Sequence, residues 1–328
     1  MLLATLPIDA AAAPDSIPAV PDRWESELGR DHPLAGVIWD VQEGREAEPE
    51  HVARRAAEAR FVLLGEVHDN PDHHRLQAWV LDAMAAQGAK PAVIFEMIRL
   101  DRAEALRKHL EESPGDAAGL GDAVGWKEEG WPDWEMYEPV AEAALASGMP
   151  IRAGDVTREE QDQVSQAGLD ALDSDRRSKL ALDRPLPPDQ AERMKEELQR
   201  AHCDLLPEHA LPVVAQVQRL RDAVLAHSLV SSVEEDHRGQ AVLIAGRGHV
   251  RADRGVPWYL RQHGEEAVLV VGLVQVEDEH TDPGAYLRAH DAASSAGGSP
   301  TFDYLWFTPR PHDRDFCAEL KERMGGEG

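Results

Sequence analysis

The sequence predicts an α/β fold, a mostly parallel sheet flanked by helices, with a helical insertion before the last third of the chain. Three observations predict it. Short apolar runs alternate with longer helical patterns, the signature of strand–helix–strand units. Two of these runs end in the same polar pattern, as Gly65-Glu66-Val67-His68 and Gly246-Arg247-Gly248-His249. Residues 158–238 hold helical patterns and no good strand.

In chain order, residues 36–39 form a weak first strand, and 49–59, rich in Ala, Glu and Arg, a helix. Residues 61–64 are a short apolar run of the kind buried in a parallel sheet. Asn70-Pro71 then places a capping residue and a first-turn proline ahead of a helix over 72–86. A strand over 92–95 ends at Glu96, and a helix over 101–112 follows. A Gly/Asp/Trp-rich connection, 113–133, leads into helix 134–147, and 150–153 is a strand ending at Gly154-Asp155. Two long helical patterns, 188–202 and 208–230, flank the turn from Cys203 to Pro207. Strand 241–245 resumes the sheet, helix 256–263 covers it, and 267–271 is the next strand. After a polar Gly/Ser/Ala segment, 279–299, residues 302–307 close the chain as an edge strand.

Composition narrows the function classes. At 328 residues the chain is long enough to bury a substantial core. Its 34 basic and 61 acidic residues leave a net charge of -27, which excludes the basic footprint that nucleic acid requires. Only six of the basic residues are lysine, and the acidic excess is spread along the chain, a surface suited to high salt. No run reaches the roughly 18 apolar residues of a membrane helix. Residues 1–34 read as a disordered leader, 35–310 as the α/β domain and 311–328 as a tail. As written the chain is expected to be cytoplasmic, and an export signal missing from its N-terminus would instead make it periplasmic or membrane-anchored. Cys203 and Cys317 form no CxxC, and a disulfide between them depends entirely on the fold.

The polar strand endings carry the functional signal. Ligands of open α/β sheets sit outside the carboxyl ends of the strands, where Glu66, His68, Glu96, Asp155 and His249 all fall. If the two histidine-bearing strands are neighbours, both imidazoles project into one crevice. Carboxylates and imidazoles so placed serve as metal ligands or acid/base groups. His73 and His74, in the first turn of the next helix, either support that site or are solvated. Tyr137 follows Trp131 and Trp134; its phenol either packs with them, bonds a site carboxylate or ligates ferric iron. His202 lies between the insertion helices, and Gln218, Arg221 and Asp222 project from the second of them. Arg247, Arg251 and Arg254 surround His249 as a basic spot for a small anionic ligand, or as partners of neighbouring acids.

Several segments together resemble the ChaN-like haem-binding proteins over about residues 36–309: Leu64 to His74, Phe95-Glu96-Met97, Trp134 to Pro139, His202-Cys203, Gln218 to Asp222, Gly246 to His249 with Gly255-Val256-Pro257, and Asp303 to Thr308. The paired Gly-x-x-His motifs are similar to those of erythromycin esterases and Tiki-type metalloproteases. The resemblance implies an α/β core with a helical insertion, and haem binding linked to iron or haem uptake, as a homodimer with tyrosine ligation. ChaN-like lipoproteins carry a lipid-modified cysteine, whereas the first cysteine here is Cys203. Two functions are therefore expected. In the first, ferric haem is held by a tyrosine, Tyr137 before Tyr259, Tyr286 or Tyr304, with His68, His73, His74, His202, Arg247, His249 and Arg251 in support. In the alternative the chain is a hydrolase. It either holds a divalent metal through His68, His249 and Glu96 or uses Glu66 as a metal-free general base beside a histidine. No GxSxG elbow is present for a serine hydrolase.

Overall fold

Among the described residues, eight strands, β1 (Ile38–Asp40), β2 (Arg45–Glu46), β3 (Phe61–Glu66), β4 (Ala92–Arg99), β5 (Ile151–Asp155), β6 (Ala241–Gly246), β7 (Val268–Gln275) and β8 (Tyr304–Thr308), form one sheet in the order β2-β1-β8-β7-β3-β6-β4-β5. The structure is a computed structural model, and it describes residues 16–236, 239–289 and 300–325. Residues 1–15 of the expected leader, 237–238, 290–299 of the polar segment and 326–328 lie outside the described residues.

The sheet is mixed, a correction to the mostly parallel sheet expected from sequence. Strands β3 to β8 run parallel to one another, whereas β1 pairs antiparallel with both β2 and β8. The strand at 302–307 was expected at the edge; β8 is instead covered by β1, through Ile38 opposite Trp306 and Asp40 opposite Tyr304. The weak strand near residue 38 thus finds its partner some 260 positions away in the sequence, a pairing that no local pattern announces.

Among the described residues, twelve α-helices accompany the sheet: α1 (Pro49–Glu58), α2 (Pro71–Ala86), α3 (Ala103–Glu112), α4 (Leu120–Val124), α5 (Trp134–Ala146), α6 (Arg158–Ala167), α7 (Ser174–Lys179), α8 (Pro188–Ala201), α9 (Leu211–Asp236), α10 (Val256–Gln262), α11 (Pro283–Ala289) and α12 (Phe316–Gly325). The start of α2 is fixed as its sequence implies. Pro71 is its first residue, and the Asn70 side chain accepts hydrogen bonds from the Asp72 and His73 amides.

Strand alternation divides the core between the two faces of the sheet. Val62, Leu64, Val93, Phe95, Val242 and Ile244 face one layer, with Trp79 and Met84 of α2 and Trp134 and Tyr137 of α5. Phe61, Leu63, Ala92, Ile94, Ala241 and Leu243 face the other, with Leu225 and Leu229 of α9 and Tyr259 of α10. The expected insertion is therefore not an appendage: α9 supplies the second helical layer, and α8 packs on it.

Residues 16–34 differ from the leader they read as, because they find buried partners. The Ser26 and Glu25 amides donate to Asp72, the Trp79 indole donates to Pro18, and Leu28 bridges to Arg310. No helix among the described residues is long and apolar enough to cross a membrane.

Candidate functional site

Because β3 and β6 are adjacent and parallel, with Gly65 opposite Ala245 and Glu66 opposite Gly246, the two Gly-x-x-His turns leave the sheet side by side. The first glycine of each motif is packed against the other motif. A Cβ on Gly65 would lie 2.3 Å from Val250 and 3.1 Å from the Cα of Arg247, and one on Gly246 would lie 2.8 Å from Nε2 of His68. The Arg247 amide donates to the Glu66 carbonyl at 2.9 Å, tying the second turn to the end of β3. The repeated motif is thus two backbones that must approach without side chains between them.

The crevice they form has a volume of about 720 Å³. Its floor holds Glu66, His68, Asp222, Gly246, Arg247 and His249, and Trp131, Met194, Leu198 and Phe316 form apolar walls. His68 is oriented from behind. Its Nδ1 lies 2.9 Å from Oε1 of Glu66, while the Tyr137 hydroxyl donates to that same oxygen at 2.6 Å. The other oxygen of Glu66 accepts from Gln77 at 2.6 Å and sits 3.1 Å from Nδ1 of His74. With Nδ1 thus engaged, Nε2 of His68 is left toward the crevice, and 30% of this side chain is exposed. The Trp131 indole stacks on its ring at a tilt, 4.9 Å between centroids.

A second charged group lies beneath β6. His249 bridges two carboxylates, with Nδ1 2.6 Å from Asp222 and Nε2 3.2 Å from Glu96. Glu96 also accepts from the Gly246 amide at 2.6 Å and from Arg221 at 2.7 Å, and Arg221 reaches on to Asp155 at 2.6 Å. Gln218 and Asp222, four residues apart on α9, both face His249, the spacing that puts side chains on one helix face.

These surroundings set the charges. Burial opposes ionisation of Glu66, but His74 and His68 hold its carboxyl well below the usual carboxylate range. Burial would lower His68, yet its bond to Glu66 and the charge of Glu96 raise it. Burial likewise opposes the His249 cation, and Glu96 and Asp222 overcome that and raise it to about 10. Burial raises Asp222 to about 6. Burial and the Glu66 carboxylate push the Tyr137 phenol well above its ordinary value.

Of the residues expected at the site, Glu66, His68, Glu96 and His249 meet around this crevice, joined by Arg247. Others do not. His73 turns toward β8: it accepts from the Val67 amide and lies 2.8 Å from the Thr308 hydroxyl. His74 is fully buried behind Glu66, and His202 is exposed at the end of α8, bonded to its Leu198 carbonyl. Arg251 and Arg254 pair with Asp253 and Glu197, so the salt-paired reading applies to them. Among the described residues the Arg247 guanidinium instead donates only to the Leu273 carbonyl, at 3.2 Å.

The tyrosines expected as haem ligands are all buried. Tyr137 has no exposed surface and spends its hydroxyl on Glu66. Tyr259, Tyr286 and Tyr304 are also buried, their hydroxyls facing Arg219, the Glu277 backbone and Arg55. Both ring nitrogens of His249 are taken by carboxylates, and no three His, Cys, Asp or Glu side chains among the described residues are grouped to hold a metal ion. The Glu66 carboxylate is engaged by His68, Gln77 and Tyr137.

Sequence reasoning missed Gln77, Met194, Leu198 and Phe316. Gln77 was within reach, three residues after His74 on α2. Phe316 had no local signal. It enters the crevice because Cys317 is joined to Cys203 by a disulfide, with Cα atoms 5.3 Å apart across 114 positions. This bond ties α12 to the turn between α8 and α9, so the expected tail forms one crevice wall.

The carboxyl edge of the mixed sheet thus carries an oriented imidazole and a row of buried ion pairs. The chain belongs to the family described as haem-binding uptake, Tiki superfamily, ChaN, whose model matches residues 52–260. Its fold is similar to that of ChaN of Campylobacter jejuni, described as binding haem cofacially, at a TM-score of 0.61 and 19% identity, covering 82% of this chain and 95% of that one. An erythromycin esterase mutant, EreC, matches at a TM-score of 0.46 and 11% identity over 81% of this chain and 95% of its own. No curated protein matches the sequence.

Proposed function

We propose that the chain binds ferric haem in the crevice between its two Gly-x-x-His turns, with Nε2 of His68 as the protein's donor to the iron. The observation that carries this reading is the orientation of His68. An imidazole whose Nδ1 is held by a carboxylate has a fixed ring and a more basic Nε2, as in histidines that ligate metals, and this one faces a cavity walled by Trp131, Met194, Leu198 and Phe316. Family membership supports haem as the ligand. When bound, haem would supply an iron centre with open coordination positions. The protein's own residues hold the imidazole, keep its Nδ1 engaged and exclude water from one porphyrin face.

Titrating the purified protein with ferric haem and following the Soret band tests this. Saturable binding is expected, and His68→Ala should abolish the imidazole-type spectrum. Saturable binding with an unchanged spectrum in His68→Ala would assign the ligand elsewhere; no saturable binding would overturn the reading.

The Glu66–His68 pair favours a second reading, in which His68 acts as a general base toward water at an ester or lactone beside cationic His249. Turnover of an ester panel by the haem-free protein, lost in His68→Ala, would support that reading over the first.

A further inference from the structure

In a chain of net charge -27, the long-range field repels anions from most of the surface. The crevice contains an exception. Arg247 lines it, half-buried, and among the described residues no carboxylate forms an ion pair with its guanidinium. Its only hydrogen bond is to the Leu273 carbonyl at 3.2 Å, which leaves most of its five donors without a protein partner. The two neighbouring arginines differ in this respect, since Asp253 and Glu197 accept from both Arg251 and Arg254.

The backbone that presents Arg247 is rigid. Its amide is bonded to Glu66, and its Cα packs against Gly65 closely enough to forbid a side chain there. From the end of β6 the side chain crosses the end of β3 to reach β7, so it lies over the same strand that delivers His68. A half-buried guanidinium without a counter-ion is costly and is relieved by an oxyanion that accepts two of its hydrogens in parallel. Burial and the nearby Arg251 lower its proton affinity, against the charge of Glu277, and an anion in the crevice would offset that lowering.

We propose that Arg247 makes the crevice selective for a ligand bearing an oxyanion, and that it holds a carboxylate of the ligand bound at His68. Resting on the haem reading above, this assigns a haem propionate to Arg247. The shared chemistry is a carboxylate or phosphate, so the test separates the porphyrin from a free anion.

The test uses the full chain, with Arg247→Met to remove the charge and Arg247→Lys to keep it. Each protein is titrated with ferric haem and with its dimethyl ester, which lacks the carboxylates, while inorganic pyrophosphate is scored by its effect on melting temperature. Wild type should bind the acid about ten- to hundredfold more tightly than the ester. Arg247→Met should erase that preference without weakening the ester, and Arg247→Lys should retain part of it. Pyrophosphate should raise the melting temperature of wild type and not of Arg247→Met. Pyrophosphate protection lost in Arg247→Met, with no porphyrin bound by wild type, would keep the anion site and discard haem. Equal affinity of wild type for acid and ester, with no pyrophosphate protection, would overturn the anion site and leave haem to be judged by the Soret band.

Discussion

Gly246 lies directly beneath the His68 imidazole: a methyl group on Gly246 would stand 2.8 Å from Nε2 and 3.2 Å from Cε1. The second motif therefore sets the position of the first motif's histidine, and neither is a complete site alone. Gly246→Ala should push His68 toward Trp131 and weaken haem binding more than tenfold, at a stability cost of about 1–3 kcal/mol. Parallel haem titration and melting curves check this; unchanged affinity would mean that the ligand does not use Nε2.

Tyr137→Phe removes a hydroxyl that donates to Glu66 at 2.6 Å in a fully buried setting. The expected loss is about 1–3 kcal/mol of stability, because a charged acceptor is left with one donor fewer. The haem spectrum should keep its imidazole character, since the phenol faces away from the crevice. Loss of the axial ligand signal on this substitution would restore Tyr137 as the donor.

Stability should fall on the alkaline side. Despite the opposing effect of burial, Glu96 and Asp222 raise His249 from an ordinary 6.5 to about 10, so the folded state binds this proton more tightly than the unfolded chain does. Its contribution is complete below about pH 6.5 and is lost as pH rises through about 10. Glu96 works in the opposite sense: burial resists its charge, but His249 and Arg221 hold it well below 4.5, so its contribution is lost on acidification. Denaturant midpoints measured from pH 6 to 10 should decline in wild type and flatten in His249→Gln.

Salt should stabilise the fold. With a net charge of -27, self-repulsion weakens as the Debye length contracts from about 10 Å at 0.1 M to about 3 Å at 1 M. The melting temperature should rise across that range in sodium chloride; a flat response would show that the acidic excess is already locally compensated.

The legible part of this molecule was the part written in local chemistry. Apolar runs followed by Gly-Glu-Val-His and Gly-Arg-Gly-His located β3, β6 and their shared edge, because strand and turn signals act over a few residues. Asn70-Pro71 gave the start of α2 for the same reason. What was hidden depends on contacts between distant segments. The antiparallel pairing of β1 with β8 and the packing of residues 16–34 on α2 are set by surfaces that exist only after folding. At the site, sequence could bring His68 and Glu66 together but not decide which oxygen or nitrogen remained free. Tyr137 carried the right chemistry for a ligand and was turned inward by α5 to serve Glu66 instead. Arg251 and Arg247, four residues apart, read alike in sequence and differ in whether a carboxylate closes an ion pair with them.

The bond between Cys203 and Cys317 makes completion of the crevice an event in the life of the protein. The sheet, the oriented His68 and the ion pairs beneath β6 can form as soon as their strands assemble. The wall carrying Phe316 cannot be fixed until a further 114 positions have been synthesised after Cys203 and an oxidant has accepted two electrons from the paired thiols. In a reducing compartment that step is reversed, and the pocket would keep its floor while losing a covalent side. Until its two thiols are oxidised, a newly made chain thus lacks the covalent tie between α12 and the turn after α8.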